Sequence, residues 1–372
     1  MTEILPFLKD LISAPGISGY EEPAVKIIAD KWKPLVHELS RGKIGSLHGL
    51  RRGTGPEPRP SVMVSTHMDS IGLMVTGITD GFLRATQVGG VDARILPGTP
   101  VNVHSTGKSA TGKSASGTGT GGTGGTKSLP GVVVQPPAQL LPEEQRDGPV
   151  PLASLFIDTG LLPRRVSDLV RVGDVVSFAQ APVELSGETL SGHSLDNRAS
   201  VAALTVCLEE LQSRPHTWDV WAIASSQEEV GSRGAAGSAF ELRPSLAIVV
   251  DVTFAKGPGT SDWSAFPLGK GPTIAMGANM HPALHKAMKE LADKLEIPYT
   301  LEYTPSHSGT DAMATQVAAE GIPTLVLGIP LRYMHTPVEV VAIKDIQRAG
   351  RLLAEFIAGL GPDFMEQMVW DK

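Results

Sequence analysis

The chain of 372 residues contains a single cysteine, Cys207, which excludes an internal disulfide framework. That cysteine falls in ASVAALTVCLEEL, where helical spacing marks it as a core residue and not a nucleophile. No segment approaches the roughly 18 consecutive apolar residues of a membrane-spanning helix. Lys and Arg form no cluster, and the formal net charge of −7 argues against nucleic acid as a partner. The opening MTEILPFLKDLISAPG carries Glu3, Lys9 and Asp10 around a broken apolar pattern, unlike a secretory leader. Trp32, Trp218, Trp221, Trp263 and Trp370 are mostly scattered and offer no stacking platform. What is left is the profile of a cytoplasmic α/β protein, long enough for more than one domain.

The texture changes twice along the chain. SGYEEPAVKIIADKW places Ser18 three residues before Glu21, the capping-box spacing ahead of a helix. SVMVSTHMDS then reads as a buried strand that surfaces in polar residues. From about 75 to 178, short β-like segments such as TPVNVHS and PGVVVQPP alternate with Gly and Pro turns. That pattern predicts a small β-barrel or β-sandwich inserted in a larger domain built from 1–74 and 179–372. Residues 105–127, a Gly/Ser/Thr tract, lack any apolar residue larger than alanine and are expected to be a flexible loop. After 179, strands (WDVWAIAS, SLAIVV, IPTLVLGIP) alternate with helices (DNRASVAALTVCLEELQSR, HPALHKAMKELADKL). This alternation predicts a mostly parallel sheet covered on both faces, an α/β/α layer structure.

In open α/β sheets, ligands bind beyond the carboxyl ends of the strands. His67 and Asp69 follow SVMVST, Glu228 and Glu229 follow WAIASSQ, Asp251 follows SLAIVV, and His335 lies beyond TLVLGIP. Asp196 and Asn197 open a helix, where an acidic side chain meets a favourable dipole. Adjacent carboxylates such as Glu228 and Glu229 resist joint ionisation unless a cation compensates them. Two histidines and several carboxylates form an N/O ligand set suited to zinc, cobalt or manganese. One glutamate could then bind metal while its neighbour handles a proton, and Asp69 could orient His67 through its second ring nitrogen. The other histidines are less persuasive. His281 and His285 are in helical register but fall on a polar surface pattern and lack a third ligand, and His307 and His104 read as solvated. His193, in the loop before Asp196, is open to substrate contact.

PGISGYEE, THMDSIGLMV, ILPGTPVNVH, LPGVVVQPP, LFIDTG, GDVVSF, LDNRASVAAL, QEEVGSRGA, VVDVT, SGTDA and YMHTPVE stand here in order. Together they resemble the tetrahedral, TET-type metallo-aminopeptidases, which include glutamyl and deblocking aminopeptidases and proteins labelled cellulase M. The resemblance implies an enzyme that removes N-terminal residues from peptides by a metal-activated water. It implies two ions, one held by His67, Asp196 and Asp251 and the other by Asp196, Glu229 and His335. Glu228 would be the general base, Asp69 would orient His67, and Thr310 and Asp311 would lie near the substrate. The inserted β domain would mediate dimerisation, with dimers often assembling into hollow dodecamers. Ser70, Asn197 and Ser308 stand where the family more often has glutamate, aspartate and glycine.

Competing functions are a glycoside hydrolase, a carboxypeptidase or deacylase on a similar dinuclear fold, and a non-catalytic scaffold. The glycosidase needs two carboxyls facing each other across a sugar, for which adjacent Glu228 and Glu229 are poorly placed. The carboxypeptidase needs a basic residue for the substrate carboxylate, with Arg198 and Arg332 as candidates.

Overall fold

A computed structural model describes residues 3–107, 127–260 and 263–370. Among these, eleven strands form one sheet and six others close into an antiparallel barrel. The sheet is parallel at its centre. Strands Asp219–Ser225, Ser61–His67, Leu246–Phe254 and Thr324–Arg332 lie side by side in that order. Their near-continuous apolar sequences follow from burial on both faces. Val62 and Val64 pack with helices Leu195–Glu210 and Ile343–Ala358 on one side, while Met63, Ile223 and Ala247 pack with helix Arg233–Leu242 on the other. Antiparallel strands flank this centre, Leu47–Arg51 on one side and Glu339–Ala342 and Thr189–Gly192 on the other.

Helix Leu195–Glu210 is buried over nearly all of its length, Cys207 included. Burial pushes that thiol's pKa up, in keeping with a packing role. The helix crosses Ile343–Ala358 where Gly350 allows the backbones to meet. A Cβ there would lie 2.4 Å from the Ala203 carbonyl oxygen and 2.6 Å from Val206 Cβ. Gly350→Val is therefore expected to destabilise the fold by about 2 kcal/mol or more through overpacking. A lowered urea midpoint would show this, and an unchanged midpoint would refute the contact.

The barrel joins Gly72–Thr79, Phe82–Val88, Phe156–Asp158, Lys127–Val134, Pro100–Ser105 and Val175–Phe178 around its own apolar core. Of the two sequence-level alternatives, the closed barrel is the one formed. Most of the Gly/Ser/Thr tract, 108–126, lies outside the described residues.

Two local expectations need correction. Ser18 and Glu21 do not make a capping box; Glu21 itself occupies the N-cap of helix Glu22–Trp32, with no side-chain cap. Tertiary partners outcompete the local ones, as shown below. Asp251 does not end its strand either, because pairing with Thr324–Arg332 carries the strand on to Phe254.

Candidate metal centre

Parallel pairing brings the predicted residues to one edge. Ser225 lies opposite His67 in register, and Asp251, on the strand at the other side of His67's, lies opposite Gly328 of the next strand. The chain then turns through Gln227, whose φ of 57° is left-handed, into Glu228 and Glu229. Asp196 enters from the N-terminal turn of helix Leu195–Glu210, with non-helical backbone at Asp196 and Asn197. Asn197 Nδ2 donates to the Val250 carbonyl at 3.0 Å, fastening this turn beside Asp251. His335 comes from the turn after Thr324–Arg332, with φ of 63°.

His67 Nε2 stands 3.1 Å from Asp196 Oδ1, 3.6 Å from Asp251 Oδ1 and 4.0 Å from Glu228 Oε2. His335 Nε2 stands 3.3 Å from Asp196 Oδ2 and 3.4 Å from Glu229 Oε2. The ligand atoms of His67, Asp196 and Asp251 all lie within 4.8 Å of one another, as do those of Asp196, Glu229 and His335. Asp196 belongs to both groups and presents a different oxygen to each histidine. These side chains line a cavity of about 490 Å³.

A layer of carboxylates behind the cavity positions them. Asp69, fully buried, accepts the backbone N–H of Glu228 at 3.0 Å and of Glu229 at 3.2 Å, and the Ser18 hydroxyl at 2.6 Å. The adjacent glutamates thus owe their placement to one aspartate. His67 Nδ1 is 3.2 Å from the Asp69 carbonyl oxygen and 3.7 Å from its carboxylate. Glu21 accepts the N–H groups of Gly19 and Gln227, which is the use that displaces its capping role. Glu339 joins the two halves of the site, accepting the N–H of Asp196 and of His335, each at 3.1 Å. Thr310 lines the cavity, whereas Asp311 lies buried behind it and accepts the Ser65 and Ser225 hydroxyls.

The barrel also reaches the site. At Gly90 a Cβ would stand 2.8 Å from His335 Nδ1, and at Gly89, with φ of 75°, it would stand 3.3 Å from Glu229 Cβ. Sequence reasoning missed Glu21, Glu339 and this glycine pair. Only the pair, as adjacent glycines, carried a local signal.

The electrostatics ask for cations. Burial, reinforced by Asp251, Asp311 and Asp69, raises Glu228 to a pKa of about 8. Burial likewise raises Glu229, Asp251 and Glu339, and Asp311 to about 6. Burial also acts upward on Asp196, but hydrogen bonds from His335 and His67 outweigh it and hold this group below its ordinary value. Glu229 Oε1 is buried without a hydrogen-bond partner. Among the described lining residues, His67 and His335 are the only basic side chains. An imidazole and carboxylate set with a buried, unpaired oxygen fits divalent cations of the zinc, cobalt and manganese type.

A family model described as M42 glutamyl aminopeptidase matches residues 45–118 and 122–352. The chain belongs to the M42 glutamyl aminopeptidase family. As an M42 member it is a peptidase of the aminopeptidase type. It is 34% identical over 360 residues to the lysyl aminopeptidase of Pyrococcus furiosus, covering 95% of this chain and 97% of that one. The crystal structure of a TET aminopeptidase from a marine sediment thaumarchaeon matches with TM-score 0.88 at 26% identity, over 99% of this chain and 100% of that one. A Pyrococcus horikoshii TET1 peptidase, described as assembling into a tetrahedron or a large octahedral shell, matches with TM-score 0.79 at 30% identity, over 96% and 100% of the two chains.

One M42-like structure, from Thermotoga maritima, carries the name endoglucanase, with TM-score 0.73 at 26% identity over 97% and 99% of the chains. The site of this chain does not support that chemistry. Glu228 and Glu229 are tied to the same Asp69, and no tryptophan lines the cavity among the described residues. The basic residues that a carboxypeptidase would need are also committed elsewhere. Arg198 is fully buried and donates to the carbonyls of Leu11, Ala14 and Met68, and Arg332 donates to the Lys256 carbonyl.

The remaining histidines lie outside the cavity lining. His193 packs edge-on against Phe178 at 5.1 Å and is kept neutral by burial, its pKa lowered to about 3. His281 is buried as the N-cap of helix Pro282–Lys294 and not on a polar surface, and His285 bonds the Ala275 carbonyl. His104 is half-buried against the Ser177 hydroxyl and is not simply solvated.

Proposed function

We infer that this chain is a metal-dependent aminopeptidase whose active site would hold two divalent cations, with Asp196 among the residues of both sites. The observation that carries this reading is the pair of three-residue groups sharing Asp196, with Glu228 beside them and belonging to neither. His67 and Asp251 would complete one site, and Glu229 and His335 the other. Zinc and cobalt suit the donor set best, with manganese also compatible. Such ions, when bound, polarise the first peptide carbonyl and lower the pKa of the attacking water.

The chain's own groups do the rest. Ser232 donates to Glu228 Oε1 at 3.2 Å, leaving Oε2 to take the proton of the attacking water and return it to the leaving amine. The raised pKa of Glu228 suits a group that must both accept and release a proton near neutrality. Asp69 fixes the Glu228 and Glu229 backbone, and Glu339 fixes Asp196 and His335. Thr310 contacts the substrate from the cavity wall, with Asp311 bracing the floor through Ser65 and Ser225.

Residues 75–178 act in this account as a dimerisation domain inserted in the catalytic domain. Exposed apolar side chains on this segment, among them Leu140, Leu162 and Val172, supply a surface for that contact. Further assembly into a closed shell would follow the horikoshii relative and restrict substrates to peptides and unfolded chain ends. Cytoplasmic location agrees with the single buried cysteine and with the lack of any helix long and apolar enough to cross a membrane among the described residues.

The test uses one peptide with a free and an acetylated N-terminus, incubated with chelator-stripped enzyme and then with added Zn²⁺ or Co²⁺. Stepwise loss of N-terminal residues from the free form alone, and only with metal, is the expected result. Cleavage from the C-terminus would overturn the direction of substrate binding.

A further inference from the structure

Beyond the ligand groups, the cavity continues to a second acidic wall that the hydrolytic step does not use. Glu302, on strand Thr300–Thr304, stands there, half-buried. Its Oε1 accepts the Thr253 hydroxyl at 2.7 Å and its Oε2 the Thr273 hydroxyl at 2.5 Å. Thr253 is two residues past Asp251 on the same strand, so it faces the same side about 7 Å further along. Gly328 makes the room. A Cβ at that position would stand 2.2 Å from Thr273 Oγ1 and 2.9 Å from Glu302 Oε2.

A carboxylate has about four acceptor positions, and the two hydroxyls use two of them. No Lys or Arg stands among the described residues lining the cavity, so Glu302 has no cationic partner in that wall. A desolvated carboxylate lacking a counter-charge is costly unless a ligand supplies one. Beside Glu302 the wall includes Ala275, its register partner on the next strand, and Val326, apolar surface against which an aliphatic stem can lie.

The geometry points to Glu302 as the group that recognises the side chain of the substrate's first residue, selecting lysine or arginine. This rests on the aminopeptidase reading and adds the substrate class. A lysine lays four methylenes along the wall and brings its ammonium to the free acceptor positions. A first-residue glutamate meets a like charge, which sets this chain against the residue in its family's name. Norleucine, lysine's isostere without the ammonium, leaves the carboxylate unpaired.

Metal-loaded wild type and Glu302→Gln are to be compared on aminoacyl-methylcoumarin amides of Lys, Arg, norleucine and Glu. The expected wild-type kcat/KM is higher for Lys and Arg than for norleucine by about tenfold or more, with Glu lowest. Glu302→Gln should lower the Lys and Arg values by about tenfold or more and leave norleucine within about threefold, at unchanged metal content. An unchanged Lys-to-norleucine ratio, or an equal loss on all four substrates, overturns the assignment. Calorimetric binding of lysinamide and norleucinamide to Glu228→Gln, with and without Glu302→Gln, reads recognition apart from turnover. A lysinamide preference that disappears with Glu302→Gln supports it, and no preference contradicts it. Wild type that cleaves none of the four amides overturns the aminopeptidase reading, while the binding comparison still decides the role of Glu302.

Discussion

Glu228→Gln should lower kcat by about 10³-fold while the protein keeps both metal ions and its fold. Glutamine preserves the shape of the side chain, its backbone N–H bond to Asp69 and a partner for Ser232, so the turn that presents Glu229 is not disturbed. What is lost, on the proposed function, is the basic oxygen that would take a proton from water and deliver it to the amine. A group acting only as a structural anion would give a different signature, in which metal content and activity fall together. Metal analysis alongside single-turnover kinetics separates the two. A glutamine variant with two ions and near-wild-type kcat would remove Glu228 from the proton path.

Asp196→Asn should be the most damaging ligand substitution, because it withdraws the one carboxylate common to both groups. The amide keeps the volume but neither the charge nor the ability to accept on both faces from His67 and His335. Affinity at both sites should fall by more than the roughly 10–100-fold that follows from losing an outer hydrogen-bond partner of a metal ligand. Glu229→Ala makes the contrast, since it belongs to one group and should cost one ion per subunit. Atomic emission analysis of dialysed protein reads these stoichiometries directly. Equal losses from Asp196→Asn and Glu229→Ala would argue against a shared aspartate.

The parts of this site that were legible in the sequence are those governed by sheet topology. Parallel strands deliver their carboxyl ends to one edge, so His67, Glu228, Glu229 and His335 could be collected from the residues that follow each apolar run. Asp251 could be collected too, although its strand runs on past it under the influence of a neighbour the local pattern does not show. The supporting carboxylates were harder to find because each satisfies backbone groups far away in sequence. Ser18 and Glu21 have ideal spacing for a local cap, yet Ser18 bonds Asp69 and Glu21 bonds Gln227, contacts that exist only once the chain is folded. Glu339 is similar, since nothing in its own segment predicts that it holds Asp196. Glu302 sits in TLEYT, which reads as an ordinary edge strand, and becomes notable only through Thr253, Thr273 and the space left by Gly328. Local pattern predicts elements and their ends, while tertiary hydrogen bonding decides which buried acids serve which loop.

The proposed function turns on two ions that share Asp196 and on a Glu228 that binds neither. Crystals of the zinc- or cobalt-loaded protein, measured on both sides of the metal absorption edge, would locate the ions without reference to activity. Two anomalous peaks per subunit are expected, one among His67, Asp196 and Asp251 and one among Asp196, Glu229 and His335, with the Glu228 carboxylate outside both coordination shells. A single peak, or a peak ligated by Glu228, would contradict it.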